Sequence, residues 1–293
     1  MSTRDHSNAK RGVVVSLAAS VLFGLMFYVS GALDASAEFI FGWRIVITVA
    51  CFLIALASPG GRRALRALIS LLRAAPRRLI VMAAASFIVG VQMWLFSWSP
   101  LHGHGLDASL GYLLLPISLV IVGRVVFGES VTRVQWIAVA IAIVAVSISL
   151  LATAALSWVT LVICLGYPVY FALRKHHHLA SQAAFGVEVT LMSPVALWFA
   201  LTTDGAASLG GAALVAFVGL AGAAAMWAYL AASRLLSLPL FGLLSYVEPV
   251  LLFVASLVLG ETLTLVDAIS YSLLAIALAV LALGGFNTSV RVR

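Results

Sequence analysis

Three ionisable side chains, Arg44, Glu188 and Glu248, lie inside long apolar runs of a 293-residue chain. An arginine there keeps its charge and can bind a carboxylate, whereas a carboxyl group can trade its charge for a proton. Both chemistries are costly away from water, so residues of this kind are paired with one another or face a polar cavity. Arg44 falls in "GWRIVI" (42–47), Glu188 in "GVEVTL" (186–191) and Glu248 in "YVEP" (246–249). Pro249 has no backbone donor and leaves a carbonyl free beside Glu248, a common way to build a polar site or a hinge within a membrane helix. Glu188 and Glu248 are candidate acceptors for a coupling proton.

Other reactive types point away from catalysis. His176, His177 and His178 are consecutive and His102 and His104 are two apart, so neither group sets two imidazoles on one helical face as an i, i+4 pair would. Cys51 and Cys164 fall in different apolar runs and read as small hydrophobes, not as a disulfide or metal ligands. There is no phosphate-binding loop of the G-x-x-x-x-G-K-[ST] type, no H-E-x-x-H and no serine elbow. No cofactor is implied. An integral-membrane enzyme would have to rest on His102, His104 and Asp107, and a passive channel lacks the expected rings of repeated charge.

The elements that position these residues follow from composition: 63% of the chain is hydrophobic and 9% charged, with a mean hydropathy of +1.16. Apolar runs recur at the length a helix needs to cross about 30 Å of hydrocarbon. Ten spans are predicted, at about 12–30, 38–57, 77–98, 105–127, 133–151, 156–173, 183–201, 209–231, 237–259 and 266–285. The first could be taken for a signal peptide, since Ala35-Ser36-Ala37 resembles a cleavage site, but its apolar core is too long.

Basic residues cluster before span one and in every second connection, with Arg62, Arg63, Arg66, Arg73, Arg77 and Arg78 in the longest loop and Arg174 and Lys175 after span six. Alternate connections carry Asp34, Asp204 and Glu261 and no Lys or Arg. Positively charged loops stay on the cytoplasmic side, which predicts a multi-pass protein of the bacterial inner membrane with both termini cytoplasmic. Of seventeen basic residues, Arg44 alone is unexplained by topology. The net charge of +7 therefore points to retention and to anionic lipid headgroups, not to nucleic acid.

Depth separates the candidates. Arg44 lies about 9 Å below the periplasmic surface, Glu188 about as far from the cytoplasmic one, and Glu248 near the midplane. Arg44 and Glu188 are thus about 12 Å apart along the normal, which favours Glu248 as the partner of Arg44. Arg44 either pins two helices or binds a substrate carboxylate, and one residue can do both in turn.

Self-comparison shows how the chain is assembled. "FGESVT" (127–132) answers "LGETLT" (259–264), "LFGLMFYV" (22–29) answers "CLGYPVYF" (164–171), and "FGWRIVI" (41–47) answers "FGVEVTL" (185–191). Pro116 and Pro249 occupy corresponding places. Five spans per copy is an odd number, so the second copy enters the membrane from the opposite side. The fold class expected is all-α integral membrane, ten transmembrane helices in two inverted repeats, the architecture of alternating-access carriers. The organisation is a cytoplasmic N-terminus (1–11), a first repeat (12–152), a second repeat (153–286) and a cytoplasmic tail (287–293).

Several segments, "LDASLGYLLLP" (106–116), "FGE" (127–129), "QWIAV" (135–139), "ALRK" (172–175), "ASRL" (232–235) and "YVEP" (246–249), carry a resemblance to the RarD-type permeases of the drug/metabolite transporter superfamily. It covers almost the whole chain and implies two EamA domains and export of amino-acid-like metabolites, drugs or opine-type metallophores. One departure is "GVQMW" (90–94), where Gln92 and Met93 replace the usual Asn-Trp pair. The expected substrate-binding set is Arg44, Gln92, Trp94, Tyr112, Glu188, Tyr246 and Glu248, with Pro116 and Pro249 as hinges. Tyr112 and Tyr246 flank the two prolines and are expected to line a cavity. The partners implied are a small-molecule substrate, the lipid bilayer and a coupling proton; the sequence sets no oligomeric state.

Overall fold

A computed structural model describes residues 3–153, 157–203, 205, 208–236, 241 and 244–290. Asp204, invoked above for topology, and positions 291–293 of the expected cytoplasmic tail lie outside the described residues, as do positions 237–240, 242 and 243 of the ninth span. The described residues form eleven helices and no strand: α1 Thr3–Ala32, α2 Ala37–Leu56, α3 Pro59–Ala74, α4 Arg77–Leu101, α5 Gly105–Phe127, α6 Arg133–Thr153, α7 Trp158–His176, α8 Gln182–Thr202, α9 Leu209–Leu235, α10 Val247–Val258 and α11 Leu265–Val290. Helices satisfy their own backbone groups, the requirement for a chain whose solvent is lipid.

Six helical stretches are long and apolar enough to cross a membrane: Lys10–Ala32, Ala37–Leu56, Arg77–Leu101, Gly105–Phe127, Gln182–Thr202 and Leu209–Tyr229. Arg133–Ile148, Val247–Val258 and Leu265–Leu281 are shorter apolar helices. The protein is an all-α, multi-pass membrane protein.

Two differences from the sequence reading matter. The arginine-rich segment after α2 reads as a loop but folds as α3. Ser58 caps it, accepting from Gly61 N at 3.0 Å, and Pro59 opens its first turn. Its leucines turn inward: Leu68 is buried against Met82, Leu179, Ala183 and Ala184, while Arg62, Arg63, Arg66 and Arg73 stay exposed. In the ninth span, α10 starts at Val247, so Pro249 stands in its first turn, where a missing N–H breaks no ladder bond, and not in the middle of a long helix.

Contacts divide the chain into two compact units. Unit one comprises Met1–Tyr28, His102–Leu165 and Ala224–Arg293; unit two comprises Val29–Leu101 and Gly166–Ala223. In unit one α6 lies along α11 and α5 along α10, around a core that includes Leu113, Ile117, Val139, Ala142, Leu274 and Leu278. In unit two α2 lies along α8, with α4 against both, around Phe41, Ile45, Val89, Met93, Val189 and Met192. The α2–α8 approach depends on small residues: a Cβ at Gly42 would come within 2.7 Å of Ala200 N.

The repeated Gly-Glu pair has a structural explanation. Gly128 (φ 65°) and Gly260 (φ 98°) both adopt the left-handed conformation that ends a helix, after α5 and α10. At α10 the closure is a Schellman motif, with Gly260 N donating to Leu257 O at 3.1 Å and Glu261 N to Ser256 O at 3.1 Å. The Glu261 carboxylate then accepts from Gly105 N at 2.6 Å and Leu106 N at 2.8 Å, capping the N-terminus of α5.

Candidate functional site

Arg44, Gln92, Trp94 and Glu188 all belong to unit two, and Tyr112, Pro116, Tyr246, Glu248 and Pro249 to unit one. Arg44 and Glu248, paired above by depth, thus belong to different units.

In unit two, Arg44 is 6% exposed. Its guanidinium lies 5.1 Å from the centre of the Phe96 ring, and Nη1 donates to Met93 O at 3.4 Å. A ring face attracts a cation electrostatically. Met93 therefore serves Arg44 through its backbone, which any residue could do, while its side chain joins the core. Gln92 is 1% exposed and turns toward Gly166, where an added Cβ would come within 3.2 Å of its amide carbon. Trp94 Nε1 donates to Glu38 Oε1 at 3.0 Å, and its ring lies 5.7 Å from that of Trp98.

Glu188 is fully buried and has partners that sequence reasoning missed. Arg174 Nε lies 3.4 Å from Glu188 Oε1, and Tyr170 bridges the pair, its hydroxyl donating to Glu188 Oε2 at 2.8 Å and accepting from Arg174 Nη1 at 2.6 Å. Ser86 Oγ donates to Glu188 O at 2.7 Å, tying α4 to α8. Arg174 also donates to Leu179 O at 3.1 Å and Ser181 O at 2.7 Å. These bonds brace the α7–α8 turn, where His178 takes a left-handed φ of 59° normally reserved for glycine. Arg174, which the sequence offered only as a topology marker, thus holds this turn together. The available signal was the i, i+4 spacing of Tyr170 and Arg174, which puts both on one helical face.

The neighbouring histidines are less committed. Slight burial first, then the positive neighbours His176, Arg77, Arg78 and His178, push the His177 imidazole below its ordinary pKa.

In unit one, Tyr112 is buried on α5, and Pro116 lies inside the same helix, removing the donor that would have met the Tyr112 carbonyl. Tyr246 is half-buried against the core beside α10, and Glu248 is half-buried in the first turn of that helix. A cavity of about 220 Å³ in this unit is lined by residues such as Leu114, Val139 and Leu274, and neither tyrosine lines it. His104 Nδ1 lies 2.6 Å from Asp107 Oδ2 in the opening turn of α5. Thr160 Oγ1 donates to Asp107 O at 2.8 Å, and Tyr271 bonds both Ser109 and the Leu106 carbonyl. These bonds hold the start of α5. Among the described residues no three His, Cys, Asp or Glu side chains converge as a metal site would require.

Apolar helices that carry a few buried, partnered charges are the arrangement a membrane transporter requires. Comparison with known proteins gives the family. The chain is 36% identical over 258 residues to an uncharacterised transporter of Pasteurella multocida, covering 86% of this chain and 89% of the relative. It is 37% identical over 268 residues to an uncharacterised transporter of Haemophilus influenzae, covering 90% and 89%. To the chloramphenicol-sensitive protein RarD of Pseudomonas aeruginosa it is 40% identical over 261 residues, 86% of each chain. No family model matches the chain. The chain belongs to the RarD-type permeases.

Proposed function

We propose that this protein is a ten-helix secondary transporter of the bacterial inner membrane that exports a small polar metabolite by alternating access. The metabolite is an amino-acid-like compound, a drug or an opine-type metallophore. In this reading 12–152 and 153–286 are inverted EamA-like repeats, α3 lies on the cytoplasmic surface, and both termini are cytoplasmic. Arg44 binds the substrate carboxylate, Gln92, Trp94, Tyr112 and Tyr246 contribute polar and aromatic contacts, Glu188 and Glu248 are the sites at which a coupling proton can be taken up, and Pro116 and Pro249 act as hinges.

One observation supports this reading above the others. Among the described residues α2 packs along α8, α6 along α11 and α5 along α10, and each of these pairings joins helices that the sequence repeats make counterparts. Counterparts meet in this way when they lie near a pseudo-two-fold axis, the arrangement of inverted-repeat carriers.

The test is to compare metabolites in the supernatants of deletion and overexpression strains, then to follow the compounds that differ across proteoliposome membranes. Chloramphenicol belongs in the panel because of the name of the Pseudomonas aeruginosa relative. Net movement of an unmodified compound that depends on the protein is the expected result; conversion without movement would overturn the reading in favour of an enzyme.

A further inference from the structure

A cavity of about 580 Å³ lies among α2, α4 and α8 of unit two, within the range of small-molecule sites. Its walls include the rings of Phe41, Phe87, Trp94 and Phe199, and its lining holds one acidic residue, Glu38, and no basic one. Phe41 and Phe199 meet edge to face, with ring centres 6.4 Å apart. Glu38 is half-buried in the first turn of α2.

Among the described residues Glu38 has an orienting donor and no counter-ion. Trp94 Nε1 holds Oε1 at 3.0 Å. The ion pairs of His104 with Asp107 and of Arg174 with Glu188 do not involve Glu38. A carboxylate held by an indole N–H in a cavity that four aromatic residues also line offers both attractions that an organic cation uses. The full negative charge gives one and the negative faces of the rings give the other. An apolar tail would gain from the rings and nothing from the carboxylate.

We propose that this cavity binds an organic ammonium ion, with Glu38 as counter-ion and Trp94, Phe41 and Phe199 as ring walls. The charge preference is opposite to the one Arg44 would impose, so the two sites together would suit the two ends of a zwitterion. Binding here does not depend on the transport reading, and an equilibrium measurement separates the two.

The experiment is calorimetric titration of the purified full-length protein in detergent with benzyltrimethylammonium and with phenylmethanesulfonate, probes of similar size and opposite charge. The cation should bind with one-to-one stoichiometry and the sulfonate should not. Glu38→Gln should weaken cation binding by about tenfold or more while keeping an oxygen that accepts from Trp94. Val195→Trp leaves the carboxylate in place, fills the cavity from α8 and should weaken binding as well. Melting curves establish that each variant is folded, and Val195→Trp alone still decides the question if Glu38→Gln does not fold. Absence of cation binding to the wild type, equal binding of the sulfonate, or unchanged affinity in a folded variant would overturn the proposal.

Discussion

Arg44 and Arg174 are both buried arginines of unit two with different surroundings. Arg174 is committed to Glu188, Tyr170 and two backbone carbonyls, whereas the contacts of Arg44 include a ring face and one distant carbonyl. A guanidinium seated over a ring face keeps a planar fork that can meet a substrate carboxylate. Arg44→Ala should therefore reduce export in proteoliposomes by about tenfold or more while gel filtration shows a folded protein, and Arg44→Lys should retain part of it, keeping the charge but losing the planar fork. Normal export by Arg44→Ala would make the charge structural. The opposite pattern is expected at Arg174. Truncation to alanine strands a buried carboxyl group and frees the α7–α8 turn, a loss of about 3 kcal/mol in melts made in one detergent. Glu188→Gln should cost less, because an amide oxygen still accepts from Tyr170. An Arg174→Ala protein as stable as wild type would remove that role.

Among the elements, α5 depends most on a residue distant in the chain. Its first backbone donors are satisfied by Glu261, which follows α10, so one carboxylate ties the start of one helix to the end of another. Glu261→Ala should destabilise unit one by about 1–2 kcal/mol, the usual range for losing a helix cap to a charged group. Gly105→Ala should act at the same point, since its Cβ would stand 2.6 Å from Glu261 Oε1. Thermal melts of both variants test the cap, and unchanged melting would refute it. The motif "GETLT" was legible in the sequence as half of a repeat, but not as a cap, because its target lies more than 150 residues away. The helix α3 was missed for a different reason. Its arginines signal a solvated surface, while the leucines at positions 65, 68, 71 and 72 gain their meaning only when Met82 and Leu179 are there to cover them.

For the whole molecule, the charge pattern gives a topology that reporter fusions can check: cytoplasmic signals at 293 and near 66, periplasmic signals near 34 and 204. A cytoplasmic signal at 204 would end the inverted-repeat reading, since five spans must reverse the second copy. Length and hydropathy alone sufficed for the all-α membrane class, because a chain this apolar has to bury its backbone donors in helices, and a helix rises by a constant amount per residue. The residues worth suspecting were legible by the same logic, since a charge within an apolar run stands out in any alignment with itself. Their partners were not. Glu188 meets Arg174 only because the α7–α8 turn brings two helices side by side, and Glu38 faces Trp94 only because α2 and α4 are neighbours. Pairings of this kind depend on which helix faces oppose each other in three dimensions, and hydropathy, a property of one residue at a time, carries no record of that.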